Sequence, residues 1–172
     1  MNTRRLFDEI VRLRRRVVSL ETNVSDNTGF TYLSSSIPTG GLYSGNTLIA
    51  GTGSHSEVVG GHLVYLDSTK QWKRTHAALT ATGGGNVAGI SLSTSPHIDG
   101  VLVNGLYNLP TDYVSGSSGV FSIGSQVYMS PEASGSFTTT IPSGSGQIVR
   151  VVGHSVDSDM IYFAPSPDYI EI

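Results

Sequence analysis

The residues of this chain that could do chemistry are five histidines, the serines beside one of them, and a scatter of carboxylates. His55, His62, His76, His97 and His154 share no close pairing. A visible metal site such as H-E-x-x-H needs two imidazoles one helical turn apart. Histidines gathered on the axis of an oligomer could share a metal, but polar strand and loop positions are their commoner use. The stretch GSHSEVVGG at 53–61 sets serines beside His55; a nucleophilic triad also needs an acid brought in from elsewhere in the fold. DSD at 157–159 could offer carboxylates to calcium, yet it lacks the other ligands of an EF-hand loop and reads as a hairpin turn. GGGNVAG at 83–89 has the glycines of a phosphate loop, but VAGISLS continues as strand where that motif needs a helix. The absence of cysteine excludes thiolate chemistry, disulfides and zinc–thiolate sites. No catalytic, cofactor-binding or metal residue is assigned, no cofactor is expected, and the chain is not expected to be an enzyme.

The elements that would position such groups are of β type. Charged residues make up 13% of the 172, about half the usual quarter, and the 21 glycines exceed the usual share of roughly 7%. That composition suits short strands and tight turns. Strand-like runs are FTYL at 30, NTLIA at 46, HLVYLD at 62, NVAGISLS at 86, GVLVNGLYNL at 100, SQVYM at 125, SFTTTI at 136, GQIVRVVGHSV at 146 and DMIYFAP at 159. PTGG, TGSHS, TGGG, VSGSSG and PSGSG punctuate them. The expected fold is all-β, a sandwich or barrel-like body.

An internal repeat runs through that body. GHLVYLD at 61–67 matches GSQVYMS at 124–130, aligning Val64 with Val127 and Tyr65 with Tyr128. Each is followed by a decorated turn, a strand with a central glycine (VAGISL, RVVGHSV) and an apolar strand (GVLVNG, DMIYFA). Two similar β units, 61–109 and 124–172, are the expected outcome, with 25–60 as a connecting β arm. Tyr65, Tyr107, Tyr128 and Tyr162 fall in alternating patterns that imply packing. Trp72 reads as a half-exposed structural residue in a turn beside Lys70, Lys73 and Arg74.

Residues 1–24 are different in kind. Leu6, Ile10, Leu13, Val17, Leu20 and Val24 step by 4, 3, 4, 3 and 4, the a/d spacing of a coiled coil. With Ile10, Val17 and Val24 at a, Glu9 and Arg16 fall at g, and Arg14 and Glu21 at e. A parallel coil then pairs Glu9 with Arg14 and Arg16 with Glu21 of neighbouring chains, both with opposite charge. Valine and isoleucine at a with leucine at d favour two strands. Against this, RVVSLE at 16–21 resembles the Arg-h-x-x-h-Glu motif of small trimeric coils, and three is the preferred number. About three heptads are marginal alone, so the β bodies must also hold the subunits together. The outer face, with Arg5 and Arg12 at c and Val11 and Val18 at b, is left to dock on a particle. Six arginines against three acids give this segment +3, while the rest of the chain is −6. A basic anchor on an acidic body suits docking to an acidic surface, but four basic residues beyond it are too few for nucleic-acid binding by the body. No apolar run reaches the roughly 18 residues of a membrane span, and Asp8 and Glu9 interrupt the place of a signal-peptide core. Neither nucleic acid nor membrane is an expected partner.

GGHLVYLDSTKQW, VAGISLSTSPHIDGVLVNGLYNL, FSIGSQVYMSP and GSGQIVRVVGHSVDSDMIYFAPSPDYIEI together resemble tailed-phage virion structural proteins. The ending, IVRVVGHSV followed by IYFAPSPDYIEI, is similar to those of phage fibre and capsid-decoration proteins. The resemblance spans 61–172 and implies a trimeric β body with no catalytic residue. It implies a homotrimeric decoration or cement protein that is assembled in the host cytoplasm, docks on the major capsid protein or another virion protein, and stabilises the head. The alternative it leaves open is a short fibre, anchored by the N-terminal helix, whose β body recognises a host glycan through loops near 69–74, 110–119 and 131–136.

Overall fold

Which residues enter the core is decided by the period-2 alternation of the strand runs. The computed structural model describes residues 43–78, 86, 88–115 and 120–172. Among them the chain is mostly strand: β1 (Tyr43–Leu48), β2 (Gly53–Ser54), β3 (Leu63–Leu66), β4 (Gln71–Arg74), β5 (Ala88–Ser91), β6 (Val101–Asn108), β7 (Gln126–Met129), β8 (Phe137–Thr138), β9 (Ile148–Val149), β10 (Val151–Ser155), β11 (Met160–Phe163) and β12 (Ile170–Glu171). A helical turn, α1 (Pro96–Asp99), starts at Pro96, whose missing N–H costs nothing there, and a 3-10 turn spans Thr111–Tyr113. The all-β expectation holds for this region. The described residues all belong to one compact unit.

The main sheet runs β2, β4, β3, β5, β6, β11, β10, β7, β8, with β1 added on β6; β12 and β9 form a separate two-stranded ribbon. Read outward from its centre, the order is β6, β5, β3, β4, β2 in one direction and β11, β10, β7, β8 in the other, so that β2 has no counterpart. The registers correspond at one pair, although the β7–β10 ladder shifts between Val151 and Gly153 where the β3–β5 ladder does not. Val64 lies opposite Gly89, and Val127 lies opposite Gly153. At both glycines the next strand comes close: a methyl at Gly89 would stand 3.0 Å from Val101 Cβ, and one at Gly153 only 2.2 Å from the Tyr162 carbonyl oxygen.

The alternation separates two apolar clusters. Leu63, Ile90, Leu102, Val127, Met129, Phe137, Val152, Ile161 and Phe163 share the larger one, which joins side chains from both directions of the sheet. Val64, Trp72 and Val101 point the other way and pack with Val58, Leu48 and Leu66 in the smaller. Each fully buried side chain of this kind contributes about 1.5–3 kcal/mol.

β6 is the longest strand. Val101 and Leu102 pair with β5, Gly105 to Asn108 pair with β11, and β1 runs along it from Tyr43 opposite Tyr107 to Leu48 opposite Val101. The ladder shifts between Asn46 and Thr47. β1 and β6 approach so closely at Gly45 and Gly105 that a methyl on either would lie 2.2 Å from a carbonyl oxygen of the other strand. Only glycine fits there.

The strand runs at 62, 86, 100, 125 and 159 hold their places, and NTLIA at 46 is moved three residues back. GQIVRVVGHSV divides at Arg150, with β9 going to the ribbon and β10 to the main sheet. QWKR, expected as a turn, is the strand β4, antiparallel to β3. Four residues with one apolar side chain carry too little alternation to announce a strand.

Candidate functional site

Most of the polar groups flagged by type are built into turns and loops, with His97 in α1 and His154 in β10. His62 is buried; its Nδ1 accepts the Val59 N–H at 3.2 Å, and its ring meets Tyr113 edge-on at 4.8 Å. Burial, followed by the nearby Arg74 guanidinium, lowers its pKa, with Glu57 acting in the opposite direction. Glu57 and Arg74 form an ion pair. His76 Nδ1 accepts the Ala78 N–H at 3.1 Å, whereas His55 and His154 are exposed. Among the described residues no group of three or more His, Asp or Glu is placed to hold a metal ion. Ser54 Oγ, next to His55, donates to the Thr94 carbonyl at 2.9 Å.

Of the residues around Trp72, the basic ones reach the surface and the aromatic one does not. Trp72 is 0% exposed, its Nε1 donating to the Ala50 carbonyl at 2.7 Å; the expected half-exposed turn residue is a core residue of β4. Lys73 is held by Asp67 at 2.7 Å and Arg74 by Glu57. Asp67 Oδ1 also accepts from Thr69 N, Thr69 Oγ1 and Gln71 N at 2.7–2.9 Å. The Lys73 bond first, then these donors, hold the Asp67 carboxyl well below the usual carboxylate range. That network organises the β3–β4 hairpin, where Lys70 takes a left-handed φ of 63°.

DSD at 157–159 is the β10–β11 turn, closed by bonds between Asp157 and Met160 and by Ser158 N donating to Asp157 Oδ1 at 2.7 Å. Tyr65, Tyr107 and Tyr128 are buried. Burial raises the Tyr107 phenol to about 12. Arg150 is buried too, with Nε donating to the Ser166 carbonyl at 2.8 Å and a guanidinium nitrogen to the Asn86 carbonyl at 2.9 Å. Its role was not visible in sequence, because one arginine in a strand run looks like any exposed charge. It ties the chain after β11 to the loop before β5.

Several large apolar side chains are also exposed, and three groups of them follow. Ile49 is 67% exposed and Ile98 64%, with Ile49 beside Gly100 at the end of α1. Val120, Ile123 and Val156 are gathered where the loop at 120–125 bonds to the β10–β11 hairpin through Phe121 N to Ser158 O and Gly124 N to Ser155 O. Tyr169, Ile170 and Ile172 line β12, with Ile170 at 68%. The sequence reading did not single these out, since an isoleucine in a turn carries no local mark of exposure.

The coil seam (Leu6, Ile10, Leu13, Val17, Leu20, Val24), its ion pairs (Glu9, Arg14, Arg16, Glu21) and the docking face (Arg5, Val11, Arg12, Val18) lie outside the described residues. Among the described residues no helix is long and apolar enough to cross a membrane. Comparison with protein families, curated proteins and solved structures finds no match to this chain.

Proposed function

We propose that the chain is a structural virion protein, a homotrimer that decorates a phage capsid and stabilises it by docking on the major capsid protein or another virion protein. The observation that carries this reading is the contrast between a closed β core and the apolar groups left outside it, Ile49 with Ile98, Val120 with Ile123 and Val156, and Tyr169 with Ile170 and Ile172. Apolar side chains gathered on a surface are what a subunit buries against others. The a/d stripe of residues 6–24 supplies parallel register, and Arg5, Val11, Arg12 and Val18 supply the docking face. Three weak attachments on one particle act at high effective concentration. The matching strand order on either side of β6 and β11 supports a sandwich or barrel-like body of two similar β units, which is the body the phage resemblance implies.

The mechanism is mass action: whatever binds only the assembled shell stabilises it. Full-length protein should raise the temperature at which empty capsids fall apart, and deletion of residues 1–24 should abolish the rise. Capsids that disassemble at an unchanged temperature with saturating full-length protein would overturn the reading. Binding of cells or polysaccharide by the β body, with no effect on capsids, would establish the glycan-recognising fibre instead. The burial of Trp72, Tyr65, Tyr107 and Tyr128 takes those rings out of any glycan face and leaves the exposed Tyr43 and Tyr169 to supply one.

A further inference from the structure

The loop between β2 and β3 puts one side chain into the smaller apolar cluster and is closed on an imidazole. Val58, 1% exposed, packs with Val64, Trp72 and Val101, while Ser56 and Glu57 before it are exposed. The loop is fixed at both ends, where His55 N donates to the Trp72 carbonyl at 2.9 Å and Gly61 N to the Ser91 carbonyl at 2.8 Å. Between them a reciprocal pair closes the turn. Val59 N donates to His62 Nδ1 at 3.2 Å, and His62 N donates to the Val59 carbonyl at 3.3 Å. The first of these bonds exists only while Nδ1 carries no proton, since an imidazolium has two donors and no acceptor. The ring has little room to turn away. Tyr113 meets it edge-on from the 3-10 turn, and a methyl on Gly135, in the β7–β8 turn, would stand 3.1 Å from His62 Cγ and from Arg74 Cδ.

We infer that the loop at 56–60 is a flap that acid releases through His62, uncovering the smaller apolar cluster. A proton on Nδ1 turns its N–H against the Val59 N–H, and two donors then oppose each other where one bond stood. The new cation also faces the Arg74 guanidinium of β4; the Glu57 carboxylate that offsets it sits on the flap itself. Among the described residues, the other elements packed here add no buried charge. The 3-10 turn brings the Tyr113 phenol and an exposed Asp112, the β7–β8 turn an exposed Glu132, and β5, whose Ser91 N bonds the His62 carbonyl, is uncharged. Moving the loop outward relieves both oppositions, leaves its two end bonds intact and takes Val58 from beside Trp72. Burial and Arg74 lower the pKa of the latched ring. The flap is therefore fully latched above the ordinary imidazole value of about 6.5 and opens as pH falls through that value towards the latched one. The device lies within the β body and does not depend on the assembly reading.

The test is hydrogen exchange of the full chain from about pH 7.5 to 5, corrected for intrinsic rates. Amides of Val58, Val59 and His62 should lose protection about tenfold for each pH unit by which latching lowers the ring's affinity for the proton. Amides of β6 should keep theirs, and Trp72 emission should become quenchable by acrylamide over the same range. In the wild type, the His62 ring C–H resonance should titrate with the midpoint of the exchange change. His62→Asn sets an amide oxygen where Nδ1 accepts and cannot take up a proton, so its flap should stay closed at the acid end. His62→Leu has no acceptor and should leave the same amides unprotected even at neutral pH. Wild-type protection at 58–62 that survives to the acid end overturns the inference. So does opening of His62→Asn at the wild-type midpoint, which would assign the change to His55, His76 or another group. Loss of protection in β6 together with 58–62 would be unfolding of the body and overturns it as well.

Discussion

Alanine substitution at four glycines separates backbone contact from backbone conformation, and Gly153 is the severe case. A methyl there would stand 2.2 Å from the Tyr162 carbonyl oxygen and 3.1 Å from Ile161 side-chain carbons. The oxygen belongs to β11, whose Phe163 and Tyr162 pair with Gly153 and His154, so it cannot move without its strand. Restoring ordinary contact requires β10 and β11 to part by about 1 Å, enough to weaken ladder hydrogen bonds. Overpacking costs about 1–3 kcal/mol, and each lost bond about 0.5–1.5. Gly153→Ala should therefore cost about 3–5 kcal/mol. At Gly89 the nearest atoms are Val101 Cβ at 3.0 Å and the Leu102 oxygen at 3.1 Å. A shift of a few tenths of an ångström relieves both, and the cost should be about 1–2 kcal/mol. Gly124 has no atom within 4 Å but a φ of 81°, so alanine there should cost about 1–2 kcal/mol through conformation alone. Gly53 has neither obstacle, and Gly53→Ala should stabilise by about 0.4–1 kcal/mol by restricting the unfolded chain. The assay is urea unfolding read by Trp72 emission at one protomer concentration, comparing midpoints at a common m. A Gly153→Ala midpoint at or above that of Gly124→Ala would refute the reasoning, since contact would then matter less than φ.

Three further outcomes are expected. Trp72→Phe leaves a void and an unpaired Ala50 carbonyl, and should cost about 2–4 kcal/mol in urea unfolding followed by circular dichroism. His62 has a lowered pKa in the fold, so the unfolded chain binds the proton first. Stability is full above the unfolded imidazole value and falls as pH drops through it towards the folded one. His62→Gln should flatten that part of the stability curve between about pH 7.5 and 5, and an unchanged slope would assign it to other groups. Lys70 sits at a φ of 63°; Lys70→Gly should raise stability by about 0.5–1 kcal/mol, seen as a higher urea midpoint.

Much of the body was legible because its strands announce themselves. Val127 and Met129 alternate with Gln126 and Tyr128, and Ile161 and Phe163 with Met160 and Tyr162, so the core side could be read from periodicity. The pairing of strands had no such local signal. β4 hides its tryptophan among charges whose partners, Asp67 and Glu57, lie on other segments. The split at Arg150 depends on carbonyl groups at Asn86 and Ser166, far away in sequence. Residue types alone suggest catalytic motifs, and the structure gives some of those side chains local bonding roles, as with Ser54 on Thr94 and Asp157 in its hairpin. The exposed isoleucines could not be foreseen, because exposure is a property of where a turn lands on the body.

β1 and β2 are the strands at which the two directions of the sheet stop matching. β6 has eight residues where its counterpart β11 has four, and the added length is what carries β1. β11 bears no such extra strand in the main sheet. A strand exposed at five of its six positions recovers little by burial, while fixing its backbone costs about 1–2 kcal/mol per residue. Hydrogen bonds to β6 offset part of that. The Gly45–Gly105 approach adds a constraint on both sequences that no core packing demands. The glycine pair is what lets the two backbones meet there, so β1 is held by close approach to β6 rather than by side-chain burial.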